Sequence, residues 1–355
     1  MVSFIISVDT TFPMASNFFE LFLKEQFVKE SEIIVVVDGC SNIHVHNLLK
    51  KLCTQNPNLK VFFNDKMGYG IANNFGVKMS TGKYLFFINS DIFTTSSCYE
   101  KMLDVLKKKE AECVQPLLLY PQTNTVQCAG TFFGPFFKDH LFDGNSAHAP
   151  IVKESGYRQA LTSALYAMPR DVFVEYGGFD EFYFNKLESF ELSYKLTLNN
   201  QRCLYLADAI AYHSRGAGRG QYSFDFRQQE AYFWSRYGKT IKPDIGTYLE
   251  KQITESMQRR SYYAIVLNQI RSWPQLLQKL PLSFSHIHEK PISPYSAINL
   301  FDILPSSFLS SPVPLAFVVS NISQMRANKY WMELRGNPHD IVLDNYANLI
   351  LTSEL

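Results

Sequence analysis

The sequence predicts an α/β protein on a mainly parallel sheet, followed by a mainly helical C-terminal region. Three observations carry this. Phe4–Val8 and Ile33–Val37 are continuous apolar runs rich in Ile and Val, the pattern of strands buried on both faces. Segments of helical spacing alternate with such runs, as in a parallel sheet covered on both sides. After about Lys239 strand signals give way to a long helical stretch, Tyr248 to Trp273, and then to Pro-punctuated segments.

Taken in order, the first strand, Phe4–Val8, precedes Ala15 to Glu30, where Phe18, Phe19, Leu21, Phe22 and Phe27 recur at roughly helical spacing. The second strand ends at Asp38. Leu48 to Leu52 reads as helix and Val61–Phe63 as strand. A Gly-rich turn then opens a helix-like stretch at Gly68. Tyr84–Ile88 is an apolar strand that stops at Asn89-Ser90-Asp91, and Cys98 to Lys109 is the next helix. Val114 to Tyr166 is irregular, broken by Gly130, Gly134, Pro135 and Gly144. It reads as an extended connection or as an insertion facing a second substrate. Arg158 to Met168 reads as strand, Phe184 to Leu198 as helix and Cys203 to Tyr212 as strand. The expected division is residues 1–240 and 241–355.

Composition excludes several classes. The chain has 355 residues and a formal charge of +1, which argues against general electrostatic binding of nucleic acid. Its aromatic content of 15% is explained mainly by large core side chains. The six cysteines form no C-x-x-C pair, as suits a reducing cytosol. MVSFIISVDTT lacks a basic leader and reads as a strand rather than a signal peptide. Phe308 to Val319 carries two prolines and is too short to span a bilayer. The expected location is cytoplasmic, with peripheral contact at the inner membrane face and oligomerisation left open.

The chemistry concentrates in three blocks. Asp91 ends a strand, and the carboxyl rim of an open α/β sheet is where ligands bind. A carboxylate there suits Mg²⁺ or Mn²⁺, which favour oxygen ligands and share them with phosphates. As a bland alternative, Asp91 caps its strand. Gly68 and Gly70 allow close backbone approach, and a helix N-terminus favours negative charge. No Gly-Lys-Ser/Thr follows, so this is no P-loop. Asp38 lies in IIVVVDGCSN, where it either turns the chain or accepts the N3–H of a uracil or thymine base. The second block is Tyr176-Gly177-Gly178-Phe179-Asp180-Glu181, followed by Leu187-Glu188-Ser189-Phe190-Glu191. Glu188 and Glu191, three apart, share one helix face. The third is His213 in LADAIAYHSRGAG.

The Asn64–Asp91 segment resembles the donor half of glycosyltransferase family 2, in its rhamnosyltransferase-like branch, where N-x-G-x-G-x-A-N-N-x-G precedes L-N-x-D. The later blocks resemble that family's G-G-F-D-E, its E-D-x-D/E-L-x-x-R and its strand-end His, in the same order. The resemblance implies a GT-A-like nucleotide-sugar-binding domain with a mixed, mainly parallel sheet. It implies inverting, metal-dependent transfer of a hexosyl or deoxyhexosyl unit from a UDP- or dTDP-linked donor to a glycan or lipid-linked acceptor, in bacterial polysaccharide or glycoconjugate synthesis. Asp38, Gly68, Gly70, Asn73, Asn74, Asn89 and Ser90 would bind the donor, with Arg215 and Arg219 neutralising the diphosphate. Asp91 and His213 would hold Mn²⁺ or Mg²⁺. Ser189 stands where the family keeps its catalytic Asp, so Glu188 or Glu191 would supply the base. A catalytically silent GT-A module that binds nucleotide sugar or acts as a scaffold is the alternative. A nucleotidyltransferase is disfavoured, because the first strand–helix loop is Asp9-Thr10-Thr11-Phe12-Pro13, without its Gly-rich, basic signature.

Overall fold

The structure, a computed structural model, describes residues 1–65, 68–134, 138–214, 226–259, 261–267, 277, 280, 282–289, 298–344, 346 and 348–350. The chain divides into two packed units. The first comprises Met1–Thr123, Gln127–Leu141 and Glu154–Lys242, the second Asn124–Val126, Phe142–Lys153 and Pro243–Leu355.

The first unit opens with β1 (Val2–Val8), α1 (Phe12–Phe22), α2 (Gln26–Lys29), β2 (Glu32–Asp38), α3 (Ile43–Gln55) and β3 (Leu59–Asn64). It continues with α4 (Tyr69–Met79), β4 (Tyr84–Ile88), β5 (Ile92–Thr94), α5 (Cys98–Lys107) and β6 (Cys113–Leu119). The strands β7 (Val126–Cys128), β8 (Thr131–Phe133), β9 (Lys138–His140), β10 (Gly156–Tyr157) and β11 (Leu165–Pro169) follow. Then come α6 (Arg170–Glu175), α7 (Glu188–Leu198), β12 (Cys203–His213) and α8 (Phe226–Tyr237). The sheet order is β10-β12-β6-β11-β4-β1-β2-β3, with β5 paired to β12. Pairs β1–β2, β1–β4, β2–β3 and β6–β12 are parallel, whereas β11 runs antiparallel to β4 and β6. The expected mixed, mainly parallel α/β sheet is therefore present.

Strand alternation explains the continuous apolar runs. Phe4, Ile6, Val8, Ile33, Val35 and Val37 fill the core on one face, while Ile5, Ile34 and Val36 fill the core on the other. The chain leaves β1 toward β2 on one side and reaches β4 from β3 on the other. The connections thus diverge between β1 and β4, and the crevice beyond their carboxyl ends is the ligand position of such sheets. Asn89-Ser90-Asp91 follows β4 at that point. Helix α4 lies close on the sheet through Gly76, where a Cβ would stand 2.6 Å from Ile5 Cγ2 and 3.4 Å from Val36 Cγ2. Gly76→Ala is expected to cost about 1–3 kcal/mol by overpacking, read as a lower urea midpoint at unchanged m-value.

Several local expectations need correction. The irregular Val114–Tyr166 stretch contains β6, all of it buried, despite Pro116. Proline survives in a sheet where a bulge relieves the ladder. Here the β6–β12 register shifts next to Pro116, between Leu206 and Ile210. Residues 158–164 are not strand, the helix read from Ala15 to Glu30 breaks into α1 and α2, and α7 begins at Glu188 rather than Phe184.

The second unit carries, beside its helices, a sheet that the helical reading of its sequence lacked. Helix α9 (Ile245–Arg259) is followed by β13 (Tyr262–Leu267), β14 (Phe284–Glu289), α10 (Leu300–Ile303), α11 (Ser307–Ser310), β15 (Leu315–Val319), α12 (Ser323–Arg326), α13 (Lys329–Arg335), β16 (Ile341–Leu343) and β17 (Leu349–Ile350). The strands form a five-stranded sheet in the order β14-β13-β15-β16-β17, parallel except for β17. The helical reading ran through YYAIVL, yet the helix stops at Arg259 and that run is strand. A short apolar run cannot be told from a buried helix by periodicity alone. Polar side chains complete this unit. Asn145 is fully buried and brackets Ile287 of the edge strand β14, accepting its N–H at 2.8 Å and donating to its carbonyl at 2.6 Å. It thereby stands in for a neighbouring strand. His286 pairs with Glu255 of α9 at 2.8 Å.

Arg335 and Asp340 form a buried ion pair, with side-chain exposures of 0% and 3%. Arg335 also donates to the carbonyls of Phe308, Ser311 and Val313, and Asp340 accepts the Leu315 N–H at 2.8 Å. Burial pushes the Asp340 carboxyl up, while the Arg335 hydrogen bond and charge pull against it. Asp340→Asn leaves the buried guanidinium without its counter-charge. The expected cost is about 3–5 kcal/mol, read as faster hydrogen exchange across β13 and β15.

Candidate active site

Strand pairing brings Asp91 and His213 together. β12 runs antiparallel to β5 with His213 opposite Ile92, so the end of β12 delivers the imidazole beside the preceding Asp91. His213 Nε2 lies 3.3 Å from Asp91 Oδ1, with both side chains 12% exposed. The Ser214 N–H donates to the Asp91 carbonyl at 3.2 Å, fixing the backbone on that side. On the far side of the ring, Nδ1 lies 2.5 Å from Gln127 Oε1, and Gln127 Nε2 donates to the His213 carbonyl at 3.0 Å. Gln127 carried no sequence signal, being one Gln in an irregular stretch.

Asn89 and Ser90 build the turn that presents Asp91. The Asn89 N–H donates to the Ala164 carbonyl at 2.9 Å and its own carbonyl accepts the Ile92 N–H at 3.2 Å. Among the described residues, no group of three or more His, Cys, Asp or Glu side chains gathers as a metal site. Asp91 and His213 are two donors only. Their 3.3 Å spacing suits neighbouring positions on a divalent ion. An octahedron with bonds of about 2.1 Å has edges of about 3.0 Å. Mg²⁺-type ions commonly take one or two carboxylates and complete their shell with phosphate and water oxygens. The residues present fit such an ion.

Asp38 is 2% exposed at the carboxyl end of β2, and its Oδ2 accepts the Gly68 N–H at 3.1 Å. The carboxylate thus holds the turn that starts α4. Gly68 itself has φ of 93°, and a Cβ there would fall 2.6 Å from the Phe184 carbonyl oxygen. Both features require glycine. The Tyr69 N–H donates to the Phe184 carbonyl at 2.9 Å and to Asn185 Oδ1 at 3.0 Å, tying α4 to the loop before α7. Asn73 and Asn74 both hydrogen-bond the protein's own backbone. Asn73 is 1% exposed and donates to the Tyr69 carbonyl at 2.8 Å. Asn74 accepts the Phe179 N–H at 3.0 Å and donates to the Phe179 carbonyl at 2.9 Å, clamping the Gly177-Gly178-Phe179-Asp180 turn onto α4.

The two glutamates of α7 have different surroundings. Glu188 is 3% exposed at the helix N-terminus and packs against Gly70, where a Cβ would stand 3.3 Å from Glu188 Cγ. Gly70 therefore makes room for Glu188. Burial pushes the Tyr69 phenol up, its hydrogen bond to Ser163 opposes this, and the Glu188 charge adds to the rise. Glu191 is fully buried, accepts a hydrogen bond from Tyr237, and pairs with Lys195 at 3.1 Å and Arg236 at 3.4 Å. Arg236 in turn pairs with Asp180 at 2.8 Å. Glu191 thus ties α7 to α8. Ser189 is 6% exposed, and its carbonyl accepts the Ser193 hydroxyl at 2.6 Å. Arg215 and Arg219 lie outside the described residues.

A mixed, mainly parallel sheet with an acid at the strand end and a histidine delivered beside it places this unit in the GT-A fold class. The structure aligns with GalNAc-T7 in complex with UDP, GalNAc and Mn²⁺ at a TM-score of 0.54 and 17% identity, over 67% of this chain and 50% of that one. The mannosyltransferase PcManGT from Pyrobaculum calidifontis, in complex with GDP-Man and Mn²⁺, aligns at a TM-score of 0.46 and 12% identity, over 73% of this chain and 69% of that one. Residues 22–165 match the model of Glycosyl transferase family 2. The O-antigen biosynthesis protein RfbC of Myxococcus xanthus is 26% identical over 224 residues, 61% of this chain. The chain spans 17% of that relative's length.

Proposed function

We propose that the chain is an inverting glycosyltransferase that moves one hexosyl or deoxyhexosyl unit from a nucleoside-diphosphate donor to a hydroxyl acceptor. The observation that carries this is the meeting of Asp91 and His213 at the crevice beyond β4. These two residues hold a divalent cation, Mn²⁺ or Mg²⁺, which when bound offsets the charge developing on the leaving diphosphate. Asp38 acts through the Gly68 turn, whose helix N-terminus favours the donor's negative charge. Glu188 accepts the proton of the acceptor hydroxyl as its oxygen attacks the anomeric carbon. It stands in the first turn of α7.

The name of the Myxococcus relative supports a role in bacterial polysaccharide synthesis, with a glycan or lipid-linked acceptor. No helix among the described residues is long and apolar enough to cross a membrane. A silent nucleotide-sugar-binding module is the second reading, favoured by Ser189 in place of the family's Asp. One experiment separates the two. The protein is incubated with a panel of UDP-, dTDP- and GDP-sugars, Mn²⁺ and candidate glycan acceptors, and nucleotide release and thermal shift are read. Release with at least one donor is expected. A thermal shift without release from any donor supports the silent module and sinks the enzyme reading.

A further inference from the structure

We infer that Gln127 is a positioning residue that locks His213 as its Nδ1–H tautomer and aims a bare Nε2 lone pair at the space beside Asp91. The inference rests on the cation-site reading above and extends it to a residue outside every motif. Chemistry fixes the orientation of the amide. The His213 backbone carbonyl can only accept a hydrogen bond, so the Gln127 atom 3.0 Å from it is the amide nitrogen. The Gln127 oxygen is then the atom 2.5 Å from His213 Nδ1. That oxygen cannot donate, so Nδ1 carries the proton. Gln127 is 1% exposed, an unusual place for glutamine unless its polar atoms are engaged.

The consequence lies across the ring. With Nδ1 protonated, the neutral imidazole has a bare Nε2, 3.3 Å from a carboxylate oxygen. Two acceptors facing each other at this distance repel unless positive charge sits on or between them. A proton on Nε2 meets that need, and so does a divalent cation ligated by both atoms. The Nε2–H tautomer would instead turn a proton toward Asp91 and occupy the lone pair a cation needs. By excluding it, Gln127 keeps the pair poised as ligands, as partners behind metal-bound histidines do.

The test reads the tautomer directly. The full chain is labelled with ¹⁵N-histidine, kept metal-free at high pH, and its imidazole nitrogens are followed by long-range ¹⁵N–¹H correlation, with His213→Gln assigning the signal. The Nδ1–H pattern is expected in the wild type and in Gln127→Glu, which retains an acceptor for Nδ1. Gln127→Leu is expected to populate Nε2–H and to bind Mn²⁺ in the presence of UDP about 10–100-fold more weakly by electron paramagnetic resonance. An Nε2–H pattern in the wild type, or an unchanged tautomer in Gln127→Leu, overturns the inference. If Gln127→Leu does not fold, the wild-type and Gln127→Glu spectra still decide. Failure of the wild type to bind Mn²⁺ while the tautomer responds as expected would defeat the cation-site reading and leave the assignment of Gln127 standing.

Discussion

Glu188→Gln is expected to lower kcat by about 10²- to 10⁴-fold, the usual contribution of a general base, with the donor KM nearly unchanged. The amide keeps the shape of the side chain against Gly70 but cannot take the acceptor's proton. A base acts only when ionised, so kcat falls as pH drops through its titration. That acid limb should vanish in the variant. Steady-state kinetics across pH in the presence of Mn²⁺ read both effects. Glu191→Gln serves as the contrast, because its carboxylate already binds Tyr237, Lys195 and Arg236. Its effect should fall on stability through the loosened α7–α8 link. Full activity and an unaltered acid limb in Glu188→Gln would remove Glu188 from the mechanism and reopen the problem posed by Ser189.

The parts of this molecule that could be read from sequence are those whose cause is local. β1, β2 and β4 announce themselves because a strand buried on both faces needs apolar side chains at every position. Asp91 is legible because a strand end and its acid are contiguous. β6 is hidden by Pro116, whose tolerance depends on a bulge in a different strand. β14 is hidden because Ser285, His286 and His288 are polar yet buried, His286 against Glu255 of α9. The roles of the two glutamates obey the same rule. Glu188 and Glu191 look equivalent on a helix, and only the arrival of Tyr237, 46 residues on, and of Arg236 sets their surroundings apart. Gln127 shows the limit most clearly, since its meaning lies in a hydrogen-bond pair with a histidine 86 residues away.

Asp91→Asn is expected to lower kcat/KM by about 10²- to 10³-fold, the scale on which losing one preorganised charge-stabilising group acts. That corresponds to about 2.7–4 kcal/mol of transition-state stabilisation. The substitution keeps shape and volume but removes the one formal charge of the Asn89-Ser90-Asp91 triplet. From the protein, Mn²⁺ would then meet one imidazole and a neutral amide oxygen. Saturating Mn²⁺ should recover only part of the loss, because the missing charge also acts in the transition state. Stability should change little, since the backbone bonds of the turn, Asn89 to Ala164 and Ser214 to Asp91, do not involve the carboxylate. His213→Ala should weaken Mn²⁺ binding through the other half of the pair. The double variant should lose less than the sum of the two, because both side chains hold one ion. Strict additivity in that cycle, or wild-type Mn²⁺ affinity in Asp91→Asn, would mean that the two side chains, 3.3 Å apart, hold no common cation.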